Sequence, residues 1–535
     1  MVRKTIIVAV CATAITLAGV MTVAVTIRNT DYAPPWLQPV LKPPRETGEI
    51  VFLTLRGPTT TQDIPAAGKR ANETQTGFEH DLATLFAQEI GATPKFVVAP
   101  GYNALALALK EGRGHIAAAG MMPTPELRQQ FVFGPSYKSV QYQLVYRASE
   151  PKPRSMLNVI GKRVVVVAET PAHDLLRDLA GEYPGFMIEA LPQNTDPDAL
   201  LKKLEVVDAP PAEAIDFAVV DASAFAIDKR LHPDLAAAFN VGRERKLAWG
   251  FSSAADYDLQ QSAFAFFDKI RNNGTLARLV DRYYGHVNRI QAVDSEAVIE
   301  KIETILPKLR SYFHEAQQLT GVDWRLLAAV GYQESHWDQF ATSPTGVRGL
   351  MMLTDDTADR MGVKNRLDAR ESIIGGAKYL LKLRDTVPER IAEPDRTWLA
   401  LAAYNQGYGH LEDARILAAR LKTNADSWLD VRKAYSKLHQ PEIYESLKHG
   451  YARGEEAVQF VENIRNYTDI LTKLEKPLEM DAGFTAALDD AALLAASKRR
   501  LNLKANLPAA QTKTPIKPAV ATTTDFTGSS SPAGQ

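Results

Sequence analysis

The hydrophobic pattern changes character three times along the chain. Behind Arg3 and Lys4 an almost unbroken apolar run extends from Thr5 to Ile27. It reads as an export signal with a basic start, and it is long enough to serve instead as an uncleaved inner-membrane anchor. Pro34, Pro35, Pro39, Pro43 and Pro44 follow as a stiff spacer. From residue 48 to about 287, short apolar stretches alternate with amphipathic ones, which indicates an α/β domain. Strands are expected at Ile50 to Leu55, Lys95 to Val98, Ile116 to Ala119, Arg163 to Ala168 and Phe217 to Val220, and helices at His80 to Ile90, Tyr102 to Glu111 and from about Ala172. Residues 288 to 296 read as a short polar linker. Beyond it Val298, Ile299, Ile302, Ile305, Leu306 and Leu309 recur at helical spacing. Nearly every segment from there to Leu474 reads as helix, broken at Pro344, Pro388, Pro394 and Pro441. The expected division is therefore a leader or anchor over 1–29, a spacer over 30–47, an α/β domain over 48–287, the linker, and an all-α domain over 297–480. Over 481–535 a helix from Ala482 to Leu501 precedes a tail rich in Thr, Pro, Ala and Ser that cannot bury a core.

One carboxylate is unusual within this pattern. Asp323 is a good N-cap for a helix starting at Trp324, and Leu327, Val330, Gly331 and Glu334 then fall at i, i+3, i+4 and i+7. The face that buries Leu327 and Val330 strips water from Glu334, and the free carbonyls near the helix end add negative potential. Both effects favour the protonated acid. A carboxylic acid kept neutral near pH 7 is what general-acid cleavage of a glycosidic bond requires. The competing reading is a Glu that turns outward into solvent at the end of its helix.

Composition narrows the chemistry. A chain of 535 residues, 45% hydrophobic and 23% charged, is an ordinary globular protein of two or three domains. With 62 basic against 63 acidic residues, no overall field argues for nucleic acid or an anionic membrane surface. The single cysteine, Cys11, excludes an intramolecular disulfide and a thiolate metal cluster, and it sits too early in the apolar run to be a lipoprotein cysteine. The ten histidines offer no helical pair with a carboxylate at metal spacing, and no Gly-rich phosphate loop is present. No metal and no cofactor are expected. His336, two residues after Glu334, would point to a different face of the helix.

Four separated motifs then stand in a telling order: Glu334-Ser335 with Ser343 nine positions beyond the Glu, Gly349-Leu350-Met351, Ala403-Tyr404-Asn405, and the run from Glu456 to Tyr467. They resemble, in order and spacing, the motifs of the soluble lytic transglycosylase family. The variant SPTGVRGLMMLT resembles its membrane-bound branch, and Met352 stands where the general family has Gln. The resemblance implies a lysozyme-like α domain acting on peptidoglycan glycan strands. It implies cleavage between N-acetylmuramic acid and N-acetylglucosamine with a 1,6-anhydro product, and association with the periplasmic face of the outer membrane. Glu334 takes the place of the catalytic acid, and Ser343, Met351, Tyr404, Asn405, Glu456 and Tyr467 those of substrate-binding residues. Tyr332, Trp337, Tyr379 and Tyr408 are either sugar-stacking aromatics or core residues, as aromatics at helical spacing more often are. A hydrolytic muramidase that delivers water, or a non-catalytic glycan-binding receptor, are the rival readings.

Residues 48–287 carry a second set of motifs: Gly77 to Leu82, Thr124-Pro125-Glu126, Phe133 to Tyr137, Asp216 to Asp221, and Asn273 to Leu276 before Tyr283-Tyr284-Gly285. These resemble the family 3 periplasmic solute-binding proteins, two-lobed receptors with a ligand cleft. Crossover strands are expected at Gln141 to Tyr146 and Lys246 to Phe251. The resemblance implies a non-catalytic domain whose cleft is either degenerate or takes a small solute or a muropeptide, and its fusion to an enzyme across a short linker points to a role in regulating or localising its neighbour. In that family an Arg after Thr-Pro-Glu clamps a ligand carboxylate; here Leu127 occupies the place and Arg128 comes one residue late. Arg128, Thr170 and Asp221 are the candidate cleft residues.

Overall fold

The computed structural model describes residues 41–57, 59–63, 75–207, 210, 213–252, 257–287, 292–343 and 346–478. The expected leader or anchor, most of the proline spacer, the break at Pro344, and the helix and tail expected after 480 lie outside the described residues. Among the described residues no helix is long and apolar enough to cross a membrane.

Nine strands form the main sheet of the first domain: β1 (Glu49–Thr54), β2 (Thr93–Val98), β3 (Ile116–Met121), β4 (Phe131–Phe133), β5 (Lys138–Arg147), β6 (Arg163–Val167), β7 (Met187–Leu191), β8 (Phe217–Asp221) and β9 (Leu235–Ser252). Their order is β2-β1-β3-β9-β5-β8-β6-β7, with β4 added on β9. β1 runs parallel to β2 and β3, and β6 runs parallel to β7 and β8, as chains returning through helices must. Phe217, Ala218, Val219 and Val220 are all buried, because helices cover both faces of such a sheet. The helices are α1 (Phe78–Glu89), α2 (Tyr102–Lys110), α3 (Pro171–Glu182), α4 (Pro197–Glu205), α5 (Ala222–Asp228), α6 (Tyr257–Asn272) and α7 (Thr275–Tyr284).

β5 and β9 make the domain two-lobed. β9 pairs with β5 from Leu235 opposite Arg147 to Leu247 opposite Lys138, then continues against β3 and β4 as far as Ser252 opposite Phe131. Both strands thus pass from one lobe into the other. They contain the two expected crossovers and extend beyond them.

The second domain is helical: α8 (Ala292–Thr304), α9 (Leu306–Thr320), α10 (Trp324–Ser335), α11 (Asp355–Met361), α12 (Ala369–Thr386), α13 (Asp395–Gln406), α14 (Tyr408–Arg420), α15 (Trp428–Tyr435) and α16 (Gly454–Leu474). α8 begins inside the stretch read as a linker. A continuous apolar core runs from Val298 to Leu471. At its centre lies α10, whose Leu327, Ala328, Ala329 and Val330 are completely buried between α9, α12 and α16.

α16 also joins the domains. Arg465 donates to the Asp281 and Arg282 carbonyls at 2.8 and 3.2 Å and pairs with Glu462 at 3.0 Å. Arg432 bridges Asp281 and Glu462 at 2.6 and 2.9 Å. Burial opposes ionisation of Glu462, but Arg465 and Arg432 outweigh it and hold the carboxyl below its ordinary range. Asp469 accepts at 2.7 Å from His286, just beyond α7, and at 2.7 Å from Arg230 toward the other lobe, where Lys473 also donates to Asp228 at 2.8 Å.

Candidate active site

Glu334 occupies the last turn of α10. The helix starts because the Asp323 carboxylate accepts the Arg325 N–H at 2.8 Å. It stops because His336 and Trp337 both adopt left-handed backbone, with φ of 53° and 61°. Two consecutive non-glycine residues there cost about 1–3 kcal/mol each, and packing supplies the compensation. Trp337 is buried, its Nε1 donates to the Ala328 carbonyl at 2.8 Å, and its ring meets Tyr332 edge-on at 5.0 Å. The sharp exit leaves Glu334 partly open at the end of an otherwise buried helix.

The chain then returns against α10 as a turn centred on Gly349, Leu350 and Met351. The Ser335 hydroxyl donates to the Leu350 carbonyl at 2.8 Å, the Met351 N–H donates to Ser372 Oγ at 3.1 Å, and the Tyr404 hydroxyl donates to the Met351 carbonyl at 2.9 Å. Gly349 has φ of 82°, and a Cβ there would stand 1.8 Å from the Arg366 carbonyl oxygen. Only glycine fits.

Burial pushes the Glu334 carboxyl up from its ordinary range to about 8, and no neighbouring charge contributes. Among the described residues no donor bonds this carboxylate. Burial first, then the nearness of Glu334, raises the Tyr404 phenol well above its usual value. The site thus holds a neutral carboxylic acid at pH 7 beside a phenol whose proton is engaged elsewhere.

The other expected residues divide. Tyr404 and the Met351 backbone come together beside Glu334, while the Met351 side chain is fully buried. Ser343 lies in the loop after α10, where its hydroxyl accepts the Val347 N–H at 3.3 Å. Asn405 is exposed, with Oδ1 accepting from Gln406 at 3.0 Å. Glu456 is exposed and paired with Arg453 at 3.2 Å. Tyr467 is buried on α16 and meets Tyr332 edge-on at 4.8 Å. Tyr332 and Trp337 are 3% exposed each, so neither can stack a sugar, and both take the core role. Tyr379 and Tyr408 remain partly exposed. Sequence reading missed Ser372, a buried hydroxyl whose partner lies twenty-one residues away.

The cleft of the first domain is a cavity of about 220 Å³ between the lobes, and Thr170 and Asp221 line it. Thr170 caps α3 by accepting the His173 N–H at 3.3 Å, and Asp221 caps α5 by accepting from Ser223 and Ala224 at 2.6 and 3.1 Å. Arg128 does not line the cavity. It is exposed and lies 5.7 Å from the centre of the Phe133 ring, because the one-residue shift leaves Leu127 packed inward and turns Arg128 out. The lining cation on the crossover is Lys138, which donates to Ser223 Oγ at 2.9 Å and sits 3.6 Å over the Tyr284 ring. Burial lowers its ammonium and raises Asp221. Glu79, also in the lining and 2% exposed, accepts from Trp249 Nε1 at 3.0 Å, from the Gly120 N–H at 3.1 Å and from Tyr137; burial still raises it. Among the described residues no group of three or more His, Cys, Asp and Glu could hold a metal.

Residues 311–427 match the family described as Transglycosylase SLT domain, and residues 59–286 match Bacterial extracellular solute-binding proteins, family 3. The chain is 42% identical over 447 residues to a Nitrosospira multiformis protein named membrane-bound lytic murein transglycosylase F, covering 83% of this chain and 90% of that one. Relatives of the same name from Methylobacillus flagellatus, 42% identical over 438 residues (81% and 90%), and Pseudomonas putida, 41% over 418 residues (78% and 85%), align similarly. Because this identity spans both domains and about nine-tenths of its relatives' length, the chain belongs to the membrane-bound lytic murein transglycosylase F family.

Proposed function

We propose that the chain is a peptidoglycan lytic transglycosylase, a carbon–oxygen lyase acting on the glycan strands of the cell wall in turnover and remodelling. Glu334 donates its proton to the oxygen between N-acetylmuramic acid and N-acetylglucosamine, and that bond breaks. The muramic C6 hydroxyl attacks C1 while the Glu334 carboxylate takes the hydroxyl proton, giving the 1,6-anhydro end and regenerating the acid. The nucleophile belongs to the substrate, so one carboxyl suffices, and its fixed position gives it a high effective concentration against water. The observation carrying this reading is the Glu334 carboxyl itself, held neutral by burial with a value of about 8 and bonded to no donor among the described residues. Neighbouring carboxylates are poorly placed as a second catalytic group: Glu456 is exposed and paired with Arg453. Ser343, Asn405, Glu456 and Tyr467 are assigned to substrate contact on the strength of their motifs, and Tyr404 and the Met351 turn also on their position.

The division into a solute-binding-like domain over 48–287 and a catalytic domain over 297–480 belongs to the same proposal. The first domain regulates the second, binding a small solute or muropeptide in its cleft; the bonds from α16 to both lobes support this. The relatives' name supports membrane association, and we place the protein on the periplasmic face of the outer membrane. Mass spectrometry of sacculus digests tests the chemistry. Anhydromuramoyl products from the wild type and none from Glu334→Gln are expected. Reducing muramic ends would replace the reading with a hydrolase, and no products from either protein would replace it with a glycan binder.

A further inference from the structure

The peptide group between Leu350 and Met351 is tied at both ends. Its carbonyl accepts from Ser335, the neighbour of Glu334 on α10, and its N–H donates to Ser372 on α12. Ser372 is fully buried, and the preceding residue is the left-handed Gly349. With both ends held, the plane of that peptide is fixed, and the next peptide group, which carries the Met351 carbonyl, is held in turn by the Met352 N–H donating to the Gly349 carbonyl at 3.0 Å. The Met351 carbonyl accepts the only proton of the Tyr404 hydroxyl.

Tyr404 lies close enough to Glu334 for the carboxylate to raise the phenol, whereas no donor among the described residues reaches Glu334. A phenol released from Met351 would have the carboxylate as its nearby acceptor. A hydrogen bond donated to the ionised form stabilises that form and removes the acid the reaction needs. We propose that Ser372 is a positioning residue of the transglycosylase reaction: by accepting the Met351 N–H it anchors the Gly349–Met352 turn that presents the Met351 carbonyl to Tyr404, and so keeps the phenol proton away from Glu334.

This role rests on Glu334 being the acid, and it is read without turnover. In the full chain, difference infrared spectra against Glu334→Gln follow the protonated Glu334 carboxyl between pH 4 and 9. Ser372→Ala is expected to move that titration about one unit to lower pH, a tenfold loss of neutral acid at alkaline pH. Ser372→Thr, which keeps the hydroxyl, restores the wild-type titration. Adding Tyr404→Phe to Ser372→Ala also returns it upward, because no phenol remains to donate. On soluble glycan strands Ser372→Ala lowers kcat with KM within about twofold, and its alkaline limb moves with the infrared titration. Ser372→Cys, which keeps a heteroatom at the γ position but is only a weak acceptor, gives the same shift should the alanine protein fail to fold. An unmoved titration in Ser372→Ala or Ser372→Cys, or a shift that survives removal of the Tyr404 hydroxyl, overturns the role. Loss of anhydro products from the wild type would strike the reaction assignment and leave the infrared result to decide this one.

Discussion

Replacing Glu334 by Gln keeps the shape of the side chain and removes its charge, so the variant that abolishes the chemistry should also strengthen the fold, and only above a definite pH. In the unfolded chain the carboxyl ionises near its ordinary value of 4.5; in the fold burial raises it to about 8. The folded state therefore holds the proton more tightly, and stability contributed by the protonated acid is complete below pH 4.5. It declines as pH rises toward 8 and is fully lost above that. Each pH unit in this window costs the wild type ~1.4 kcal/mol. At pH 7 the penalty reaches about 3 kcal/mol, an upper figure because the side chain is partly open to solvent. Gln pays no such penalty. Its amide does lose water on burial, but equally at every pH, so the difference between two pH values isolates the carboxyl. Urea unfolding of both proteins at pH 4.5 and pH 7 measures it, with Trp324, Trp337, Trp398 and Trp428 reporting on the catalytic domain. The advantage of Glu334→Gln should be about 3 kcal/mol larger at pH 7 than at pH 4.5. An equal gap at the two pH values would refute burial as the cause of the raised acid.

Two further substitutions test the supporting structure. Arg465→Met removes one partner of the fully buried Glu462 and should cost about 3–5 kcal/mol in urea unfolding, most of it recovered when Glu462→Gln is added; no recovery would mean that Arg465 acts through packing alone. Gly349→Ala and Gly346→Ala place a methyl at nearly the same backbone angle, φ of 82° and 83°, but only the first meets the Arg366 carbonyl, the second facing open space. Gly346→Ala should therefore cost only about 1–2 kcal/mol and keep activity, whereas Gly349→Ala lowers Tm further and abolishes turnover; equal losses in the two would exclude the steric account.

What could be read in advance followed from local rules. α10 was legible because Asp323 caps it and Leu327 and Val330 keep helical spacing, and the acid was legible because it extends that stripe. The parallel strands of the first domain announced themselves as short apolar runs. β7 escaped because its Met187 and Ala190 face solvent at the edge of the sheet, leaving neither an apolar run nor a strict alternation. Between sugar platform and core residue the aromatics could not be told apart by type, and Tyr332 and Trp337 take the core role, both holding the left-handed exit from α10. Arg128 shows how little sequence tolerance a cleft has, since one residue of offset removes it from the lining. Ser372 and the Asp281–Arg465 contact depend on pairings far apart in the chain, for which no local signal exists.

The unequal strength of the two sets of contacts to α16 bears on how the domains would communicate. Toward α7 the contact is buried: Arg465 is 2% exposed and Glu462 is inaccessible, and breaking such a set by removing one partner costs about 3–5 kcal/mol. Toward the other lobe Arg230 is 5% exposed against an Asp469 that is 43% exposed, and Lys473 is 30% exposed against a buried Asp228. Solvent reaches one partner of each pair and screens it more than the Arg465–Glu462 pair, in which both partners are buried. A ligand that changed the angle between the lobes would therefore work against the Arg230 and Lys473 contacts first and leave α7 fixed on α16. α16 carries Tyr467 against Tyr332, and Tyr332 holds the exit of the helix that bears Glu334. The coupling energy such a ligand could exert is limited by its differential affinity for the two lobe arrangements, and the more solvated side of the α16 contact is where it would act first.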